Sequence, residues 1–373
     1  MKTILHISKY YYPYNGGIEA VTRQLVEGLT DYRNIVICFS SDRDTVEELI
    51  NGVKVYRVGV QATILSQAIA LRYGKHLRKL IKMYQPDLVH LHAPNPFVYP
   101  LVLRVLPKQT MLVLHWHSDI LSKGLFYHMI KPLENQILHR ADLVLATSPI
   151  YAEYSPQLRK VRNKVRVLPN GVMTDDLSLR PGDEKRITKI RQTYNGRPLV
   201  LFVGRHIPYK GIEHLIRAER YIKQDVQILI AGTGPATEYY RRMAMESDRI
   251  TFLGRLSTND VRCHLWAADI FAFPSVSKAE AFGVALAEAM YCEAVPVTFT
   301  IPGSGVNWVS INGQTGIEVP LADAVAFARA VDTLVTDTKL REQYAHAAKS
   351  RVEKMFTDEQ VLEAARSIYS EII

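Results

Sequence analysis

Short apolar runs rich in β-branched residues alternate with segments of helical spacing along most of the chain. In the first half the strand candidates are residues 3–8, 35–40, 53–58, 88–92, 111–117, 143–148 and 165–168. Helical spacing is found between them, at residues 19–30, 65–84 and 126–140. Apolar strands separated by helices are typical of a parallel sheet that is covered on both faces. The pattern therefore predicts an α/β fold.

The alternation stops near residue 170 and then resumes. Asn170-Gly171 is a turn signal, and residues 174–198 are polar with few apolar positions. Further strand candidates and three closing helical segments follow, at residues 199–204, 226–232, 250–253, 270–273 and 295–299, and at about 321–335, 338–355 and 358–371. We therefore predict two similar α/β domains, residues 1–172 and 173–357. Ligands are expected at the carboxyl ends of the strands, in the cleft between the domains.

Size and composition agree with two cytoplasmic domains. A chain of 373 residues can bury two cores, and 47% apolar with 22% charged residues is a globular composition. The apolar start ILHIS is too short for a signal peptide, and no apolar run approaches the ~18 residues that span a bilayer. Three distant cysteines, an odd number, fit a reducing compartment without disulfides.

The net charge of +9 is concentrated in the first half of the chain. Residues 1–172 contain 22 Lys and Arg against 12 Asp and Glu, whereas the remainder contains 24 against 25. This asymmetry predicts an anionic partner for the first half, such as lipid head groups, a polyanionic acceptor or nucleic acid. Aromatic residues are not interleaved with the basic runs, so nucleic acid is not expected.

The most informative stretch for function is FPSVSKAEAFGVALAEAMYCEAVPV, residues 273–297. Its first half indicates the end of a strand and a loop, and its second half, from about Gly283, has a strong helix-forming composition. Glu280 and Glu288 stand on either side of Phe282-Gly283-Val284. A glycine before a helix lets a ligand approach the backbone, and the free amides of the first turn attract phosphate. Two solvated glutamates on an amphipathic helix are the alternative explanation.

Three other predicted strand ends carry residues suited to anion or sugar binding. Gly16-Gly17 precedes a helix after the first strand and could admit an anion to the backbone, or simply cap the helix. Arg205 and Lys210 follow the first strand of the second domain, and a guanidinium fork with an ammonium suits a diphosphate. Gly232-Thr233-Gly234-Pro235 lacks the third glycine of a dinucleotide fingerprint, so it indicates a tight turn touching a nucleotide.

Histidines mark the strand ends of the first domain. His117, in HWHSD, is expected at a strand tip where a ring nitrogen can reach a hydroxyl, while His90, His92 and His115 are expected to be structural. No cysteine, and no carboxylate except Asp119, completes a zinc site, so no metal is expected. Asp42-Arg43-Asp44 could hold a metal against a nucleotide, but the polar residues after it, Thr45 to Glu48, favour a solvated loop.

Taken together and in this order, these motifs resemble the retaining glycosyltransferases of family four, which have the GT-B fold. The resemblance extends over the whole chain and also includes Pro169-Asn170-Gly171-Val172. It implies two Rossmann-like domains with parallel sheets facing a central cleft, and a closing helix, residues 358–373, that packs back on the first domain. It further implies transfer of a hexose from a nucleoside diphosphate sugar, with retention and without a metal or cofactor. The acceptor would be a glycan or lipid-linked glycan in the synthesis of cell-surface polysaccharide or lipopolysaccharide.

The resemblance also assigns roles to single residues. Gly16 and Gly17 would face the donor diphosphate, His117 would contact the donor sugar, and Arg205 and Lys210 would hold the diphosphate. Glu280 and the amides of Phe282, Gly283 and Val284 would bind sugar and phosphates, Gly234 would touch the nucleotide, and Glu288 would bind the ribose. One position departs from the family, because Trp308 stands where many members have a glutamate. It is either a feature of a subfamily or a change in the acceptor or base contacts.

Several properties are left open by the sequence. The resemblance leans towards a GDP-mannose donor, through similarity to bacterial mannosyl- and rhamnosyltransferases. Residues 74–82 have helical spacing with a cationic side, and residues 159–166 add five cations, which would suit the anionic inner face of the cytoplasmic membrane or merely cover a sheet. A sugar-nucleotide epimerase of the same fold, and a binding protein for nucleotides or nucleic acid without catalysis, are the competing functions.

Overall fold

The computed structural model describes residues 1–14, 16–64, 67–120 and 125–373. The chain divides into two compact units. The first contains residues 1–171 and 358–373, and the second contains residues 172–357. Each is built on a largely parallel sheet whose central strands are buried.

The strands of the first unit are β1 (Thr3–Ile7), β2 (Arg33–Phe39), β3 (Val46–Ile50), β4 (Val53–Val58), β5 (Ala62–Ile64), β6 (Gln67–Ile69), β7 (Leu88–Ala93), β8 (Met111–Trp116), β9 (Leu143–Ala146) and β10 (Val165–Val167). Its helices in this part of the chain are α1 (Gly17–Gly28), α2 (Tyr73–Tyr84), α3 (Tyr99–Val105), α4 (Leu125–Arg140) and α5 (Pro149–Tyr154), with a 3-10 helix at Leu158–Lys164.

The first sheet has the order β10-β9-β8-β7-β1-β2-β4-β3, and all its neighbours are parallel except β3 and β4. Every residue of β1 and β7 is buried, as expected for strands covered by helices on both faces. The chain passes from β1 to β2 on one side, while β7 lies on the other side of β1. The carboxyl ends of β1 and β7 therefore flank the position where the strand order reverses.

Two local predictions in this unit were wrong. Thr45 to Glu48 is not a solvated loop throughout, because Val46–Ile50 forms edge strand β3. Charged residues at an edge strand are common, and here Glu48 pairs with Arg57 of β4 at 3.0 Å. The helix predicted over residues 65–84 begins only at Tyr73, because Gln67–Ile69 pairs with β5 as a hairpin. Residues 65 and 66 of that prediction, like Asn15 in the first glycine motif, lie outside the described residues.

The second unit contains strands β11 (Leu199–Val203), β12 (Gln227–Ala231), β13 (Ile250–Gly254), β14 (Ile270–Phe273), β15 (Val295–Phe299) and β16 (Ile317–Val319). Its helices are α6 (Thr174–Leu177), α7 (Asp183–Thr193), α8 (Ile212–Glu219), α9 (Thr237–Met243), α10 (Thr258–Ala267), α11 (Val284–Tyr291), α12 (Val306–Val309), α13 (Ala324–Thr336) and α14 (Thr338–Met355), with a 3-10 helix at Pro208–Lys210. The all-parallel sheet has the order β13-β12-β11-β14-β15-β16, which is the 3-2-1-4-5-6 order of a Rossmann fold.

The last helix, α15 (Asp358–Ser370), belongs to the first unit and packs on α1. Val361, Ala365 and Tyr369 are buried in one apolar cluster with residues of β1 and β7. Gly28 at the end of α1 makes this packing possible, because a Cβ there would lie 2.3 Å from a methyl carbon of Leu362. Arg366 adds hydrogen bonds to the carboxylate of Asp31 and the carbonyl of Gly28.

Candidate active site

The strand order of the second unit reverses between β11 and β14. The loops after these two strands lead to opposite sides of the sheet and leave a crevice at the carboxyl ends. The loop after β11 carries Arg205 and Lys210, and the loop after β14 carries Glu280 and Gly283. Four of the predicted site residues are thus on the two loops that border one crevice of this unit.

Lys210 and Glu280 form an ion pair that is largely closed off from solvent. The Lys210 ammonium donates to Oε2 of Glu280, and the two side chains are 13% and 11% exposed. Ser275, a buried residue that the sequence did not single out, donates to the same oxygen at 3.2 Å. Burial by itself lowers the pKa of Lys210, but the neighbouring Glu280 carboxylate and Tyr209 phenol outweigh it and raise the pKa. Lys210 is therefore a fixed positive charge at neutral pH.

A glycine brings these two loops together. Gly211 ends the short helix that carries Lys210 and adopts φ +66°, a conformation that other residues rarely adopt. A Cβ at Gly211 would lie 2.0 Å from the carbonyl oxygen of Pro274. The amide of Val276 donates to the carbonyl of Tyr209 at 2.9 Å across the same contact. The KG dipeptide of the sequence therefore places the ammonium against the loop that carries Glu280.

The turn from Glu280 to Gly283 leads directly into α11. Gly283 has φ +89°, and a Cβ there would be 3.0 Å from the ring of Phe273. The Phe282 side chain is buried, and Val284 is the first residue of the helix. No described side chain caps α11. Because the amides of a first helical turn have no intrahelical acceptor, this turn can donate to a phosphate.

Arg205 is exposed two residues after the end of β11. No described residue accepts a hydrogen bond from its guanidinium or pairs with it. The structure thus shows two cations in different states on one loop. Lys210 is held by a carboxylate, and Arg205 is free to turn toward an anion.

Gly232 and Gly234 shape the loop after β12. A Cβ at Gly232 would lie 1.9 Å from the carbonyl oxygen of Gly204, and one at Gly234 would lie 2.4 Å from that of His206. The amide of Gly234 donates to the hydroxyl of Thr237 at 2.8 Å. The two glycines therefore allow the loops after β11 and β12 to pack backbone against backbone. The contact of Gly234 with a nucleotide stays a prediction.

Glu288 is partly buried in the middle of α11 and has no hydrogen-bond or ion-pair partner among the described residues. Burial, reinforced by the carboxylate of Asp176, raises the pKa of Glu288 to about 7. A carboxylate that protein groups leave unpaired can accept hydrogen bonds from a ligand. Its predicted partner, a ribose, is untested.

In the first unit, Gly16 and Gly17 are exposed at the start of α1. A Cβ at Gly16 would lie 2.2 Å from Oε2 of Glu19, so the Glu19 carboxylate is folded over the amino end of its own helix. Burial raises the pKa of this carboxyl. An anion bound at the glycine pair would therefore have to displace Glu19 or lie beside it.

His117 follows β8 and is buried in a cluster of histidines that cover one face of the sheet. Its Nε2 is 3.0 Å from Nδ1 of His92, and its Nδ1 has no partner. Burial lowers the pKa of His117 to about 3, so the ring is neutral, and its unpaired nitrogen is itself closed off from solvent. The predicted contact with a sugar is untested.

The other histidines are buried deeper in the same unit. Nε2 of His90 is 3.3 Å from Nδ1 of His115, while Nδ1 of His90 is bonded to the hydroxyl of Tyr369 on α15. One ring nitrogen from each of His90, His92 and His115 lies within 4.8 Å of the others. A divalent ion there would be buried without an anionic ligand in this group, which is costly, so a structural role remains the prediction.

The tyrosines on the loop after β1 were not among the site residues predicted from the sequence. Tyr10 and Tyr14 stack with ring centroids 4.6 Å apart, and the Arg23 guanidinium lies 4.7 Å from the Tyr12 ring centroid. Tyr12 and Tyr14 are about two-fifths exposed, at 39% and 41%. The sequence signal that could have indicated them is the run KYYYPY, residues 9–14, which ends one residue before the glycine pair. Exposed aromatic rings at a strand end are suited to binding a ligand.

Comparison with known proteins shows the family to which this chain belongs. Residues 183–351 match the family model of glycosyl transferases group 1, and residues 15–176 match that of glycosyltransferase family 4. The D-rhamnosyltransferase WbpZ of Pseudomonas aeruginosa is 32% identical over 95% of this chain and 92% of its own length. The O-antigen chain mannosyltransferase C of Escherichia coli is 29% identical over 99% of this chain and 98% of its own. The chain therefore belongs to the group 1 glycosyltransferases.

Solved structures confirm the predicted GT-B fold. Sucrose-phosphate synthase from Thermosynechococcus elongatus superposes with a TM-score of 0.81, at 22% identity, over 100% of this chain and 99% of that one. An Anabaena protein solved in complex with UDP and glucose gives a TM-score of 0.80 at 19% identity, over the full length of both chains. The protein is a glycosyltransferase enzyme. Among the described residues, no helix is both long and apolar enough to cross a bilayer.

Proposed function

We propose that this enzyme is a retaining, metal-independent hexosyltransferase of cell-surface polysaccharide synthesis that uses a nucleoside diphosphate sugar. The names of the two bacterial relatives, a rhamnosyltransferase and an O-antigen mannosyltransferase, support this substrate class. They also favour a GDP-linked donor of the mannose type, towards which the sequence leaned. A glycan or lipid-linked glycan of the O-antigen kind is the corresponding acceptor.

The observation that supports the proposal best is the ion pair of Lys210 with Glu280, which joins the loop that also carries Arg205 to the turn that leads into α11. Breaking the glycosidic bond leaves negative charge on the nucleoside diphosphate. Lys210, Arg205 and the first-turn amides of α11 are the groups that would stabilise it. Such preorganised groups are typically worth about 3 kcal/mol each in the transition state. The charge of Lys210 needs no reorganisation during the reaction, because Glu280, which also accepts from Ser275, already holds it in place.

This electrostatic arrangement supplies the charge compensation that other transferases obtain from a metal ion. We further propose attack by the acceptor hydroxyl on the face from which the diphosphate leaves, with the departing phosphate taking the hydroxyl proton. One bond forms to the acceptor oxygen as the bond to the phosphate oxygen breaks, so the configuration is retained. Glu280 would contact the sugar, His117 would bond one of its hydroxyls, and Glu288 would bind the ribose.

The donor can be identified by thermal shift followed by turnover. UDP-, GDP-, dTDP- and ADP-sugars are added separately, and GDP-mannose is expected to raise the melting temperature most, since a ligand bound only by the native state stabilises by mass action. A radiolabelled GDP-mannose incubation with EDTA and a lipid-linked glycan should then yield a labelled α-linked product. Loss of transfer in EDTA would contradict metal independence. Conversion of the donor alone into another sugar nucleotide would indicate the competing epimerase.

For the first unit we propose peripheral binding to an anionic membrane. On α2 the buried side is apolar, whereas Lys75, Arg78, Lys79 and Lys82 are all exposed. Leu71 and Met83, at the two ends of this cationic side, are 79% and 54% exposed. The second basic run contributes less than the sequence suggested, because several of its cations donate to protein acceptors: Lys160, Lys164 and Arg166. The enzyme would then work in the cytoplasm, on the inner face of the membrane.

Charge reversal tests the membrane proposal. The variant K75E/K79E is expected to bind vesicles that contain phosphatidylglycerol at least tenfold more weakly than the unaltered protein, because each basic residue near such a surface contributes about 1 kcal/mol. The variant K185E/K189E, on the exposed face of α7, changes the net charge equally and should bind almost normally. Sedimentation with and without the anionic lipid measures both. Equal recovery of all three proteins in the supernatant would end the proposal.

A further inference from the structure

The segment that departs from the family pattern, residues 303–309, is tied firmly to the sheet and to α14. Asn307 accepts from the amide of Ile301 at 2.9 Å and donates to the carbonyl of Phe299 at 3.0 Å, both near the end of β15. From α14, Arg351 donates to the carbonyls of Trp308 and Val309 at 2.7 and 3.0 Å. The segment is therefore a rigid support whose position is fixed from two sides.

From this support, two side chains contact the turn that begins at Glu280. The buried Ser304 hydroxyl donates to the main-chain carbonyl of Glu280 and accepts from the amide of Val306 at 3.2 Å. The ring of Trp308 meets that of Phe282 edge-on, with centroids 6.3 Å apart. Phe356 packs against both rings, at 5.1 Å from Trp308 and 5.3 Å from Phe282.

These two contacts act on either side of Ala281. One fixes the main chain of the residue that pairs with Lys210, and the other fixes the residue before Gly283 and the amides of α11. A glutamate at position 308 would offer Phe282 no ring to pack against. An edge-to-face ring pair and a buried hydrogen bond each favour one position of this turn over others.

We infer that Ser304 and Trp308 are positioning residues for the leaving-group site, which rests on the proposed function of Lys210 and α11. They hold the main chain of Glu280 and the start of α11 at a fixed separation, so that the ion pair and the helix start face one diphosphate. Trp308 thus supplies an aromatic contact behind the site. Neither side chain needs to touch the donor.

The test compares S304A with S310A, because Ser310 is also buried in this region but bonds Thr315 instead of the turn. S304A is expected to lower kcat about tenfold with little change in donor KM, since small displacements of groups that act in the transition state cost rate more than binding. S310A should stay within about twofold, since it leaves the turn untouched. W308A is expected to lower kcat about 30-fold, and W308F, which keeps a ring against Phe282, should recover most of it.

A binding measurement gives a readout that general destabilisation would not reproduce. Among the three tryptophans of the chain, Trp308 packs against the turn. Saturating GDP or UDP is expected to change tryptophan emission in the unaltered protein and to change it much less in W308F at equal occupancy. The same emission change in W308F, or equal kcat for S304A and S310A, would overturn the inference.

The failure of this inference can be told apart from that of the proposed function by including K210A. If K210A loses activity while S304A and W308A do not, the positioning role alone is wrong. If K210A also retains full activity, the leaving-group site itself is misassigned, and the inference falls with it.

Discussion

Alanine in place of Lys210 is expected to lower the rate of sugar transfer by about 10²- to 10³-fold, because it removes a preorganised positive charge from the departing diphosphate. The ammonium is already bonded to Glu280 and lies 5.3 Å from the centroid of the Phe273 ring, so it is held in place before the donor arrives. The measurement is kcat at saturating donor and acceptor, with the melting temperature taken in parallel.

A complication is that K210A also leaves Glu280 unpaired. Removing one partner of a buried ion pair destabilises a protein by about 3–5 kcal/mol, so lost activity could reflect a loosened fold. The double variant K210M/E280Q separates the two effects, since it preserves shape and removes both charges. We expect it to unfold close to the temperature of the unaltered enzyme while remaining about 10²-fold slower. Near-normal transfer by this double variant would refute the role of the pair.

The second large effect is expected for R205A. Unlike K210A, this variant should lose activity without losing stability. Arg205 is exposed and unpaired within the described residues, so its loss should move the melting temperature by no more than about 2 °C. Transfer should nevertheless fall by about 10²-fold, because a guanidinium fork can bond two phosphate oxygens at once. R205K should recover little, since an ammonium cannot make the paired contact.

Arg220, another exposed arginine of the second unit, provides the matched control. R220A removes the same charge at the end of α8 and should leave kcat within about twofold, as expected of a surface substitution away from the site. If R205A and R220A had the same kcat, Arg205 would have no part in transfer. If R205A lowered stability instead of rate, its guanidinium would be a structural group.

The fold could be predicted largely from the sequence because parallel sheets leave a strong pattern. Runs such as Leu143–Ala146 are buried on both faces and are therefore continuous apolar segments in the sequence. The errors fall where that pattern is weakest, at edge strand β3 and at hairpin β5–β6, whose residues except Ala68 are exposed or half-buried. Whether a short strand forms at the edge of a sheet depends more on the strand it pairs with than on its own composition.

The candidate site was predictable to a smaller extent. Glycines with positive φ or close backbone contacts, such as Gly211 and Gly283, leave a clear trace because few other residues fit there. The sequence carries no comparable sign of which groups bond to the charged side chains. Nothing in the sequence shows that Ser275 donates to Glu280, that Glu19 folds over Gly16, or that Trp308 packs on Phe282. These contacts depend on loops that meet only after both strands are in place.

The position of α15 also has a consequence for biosynthesis. The second unit is continuous in sequence, so all of its strands leave the ribosome before α15 does. The first unit is not, because Val361, Ala365 and Tyr369 of α15 complete its apolar cluster after the whole second unit has been made. Residues 1–171 must therefore keep one apolar face uncovered until α15 has been synthesised. The later half is able to mature first.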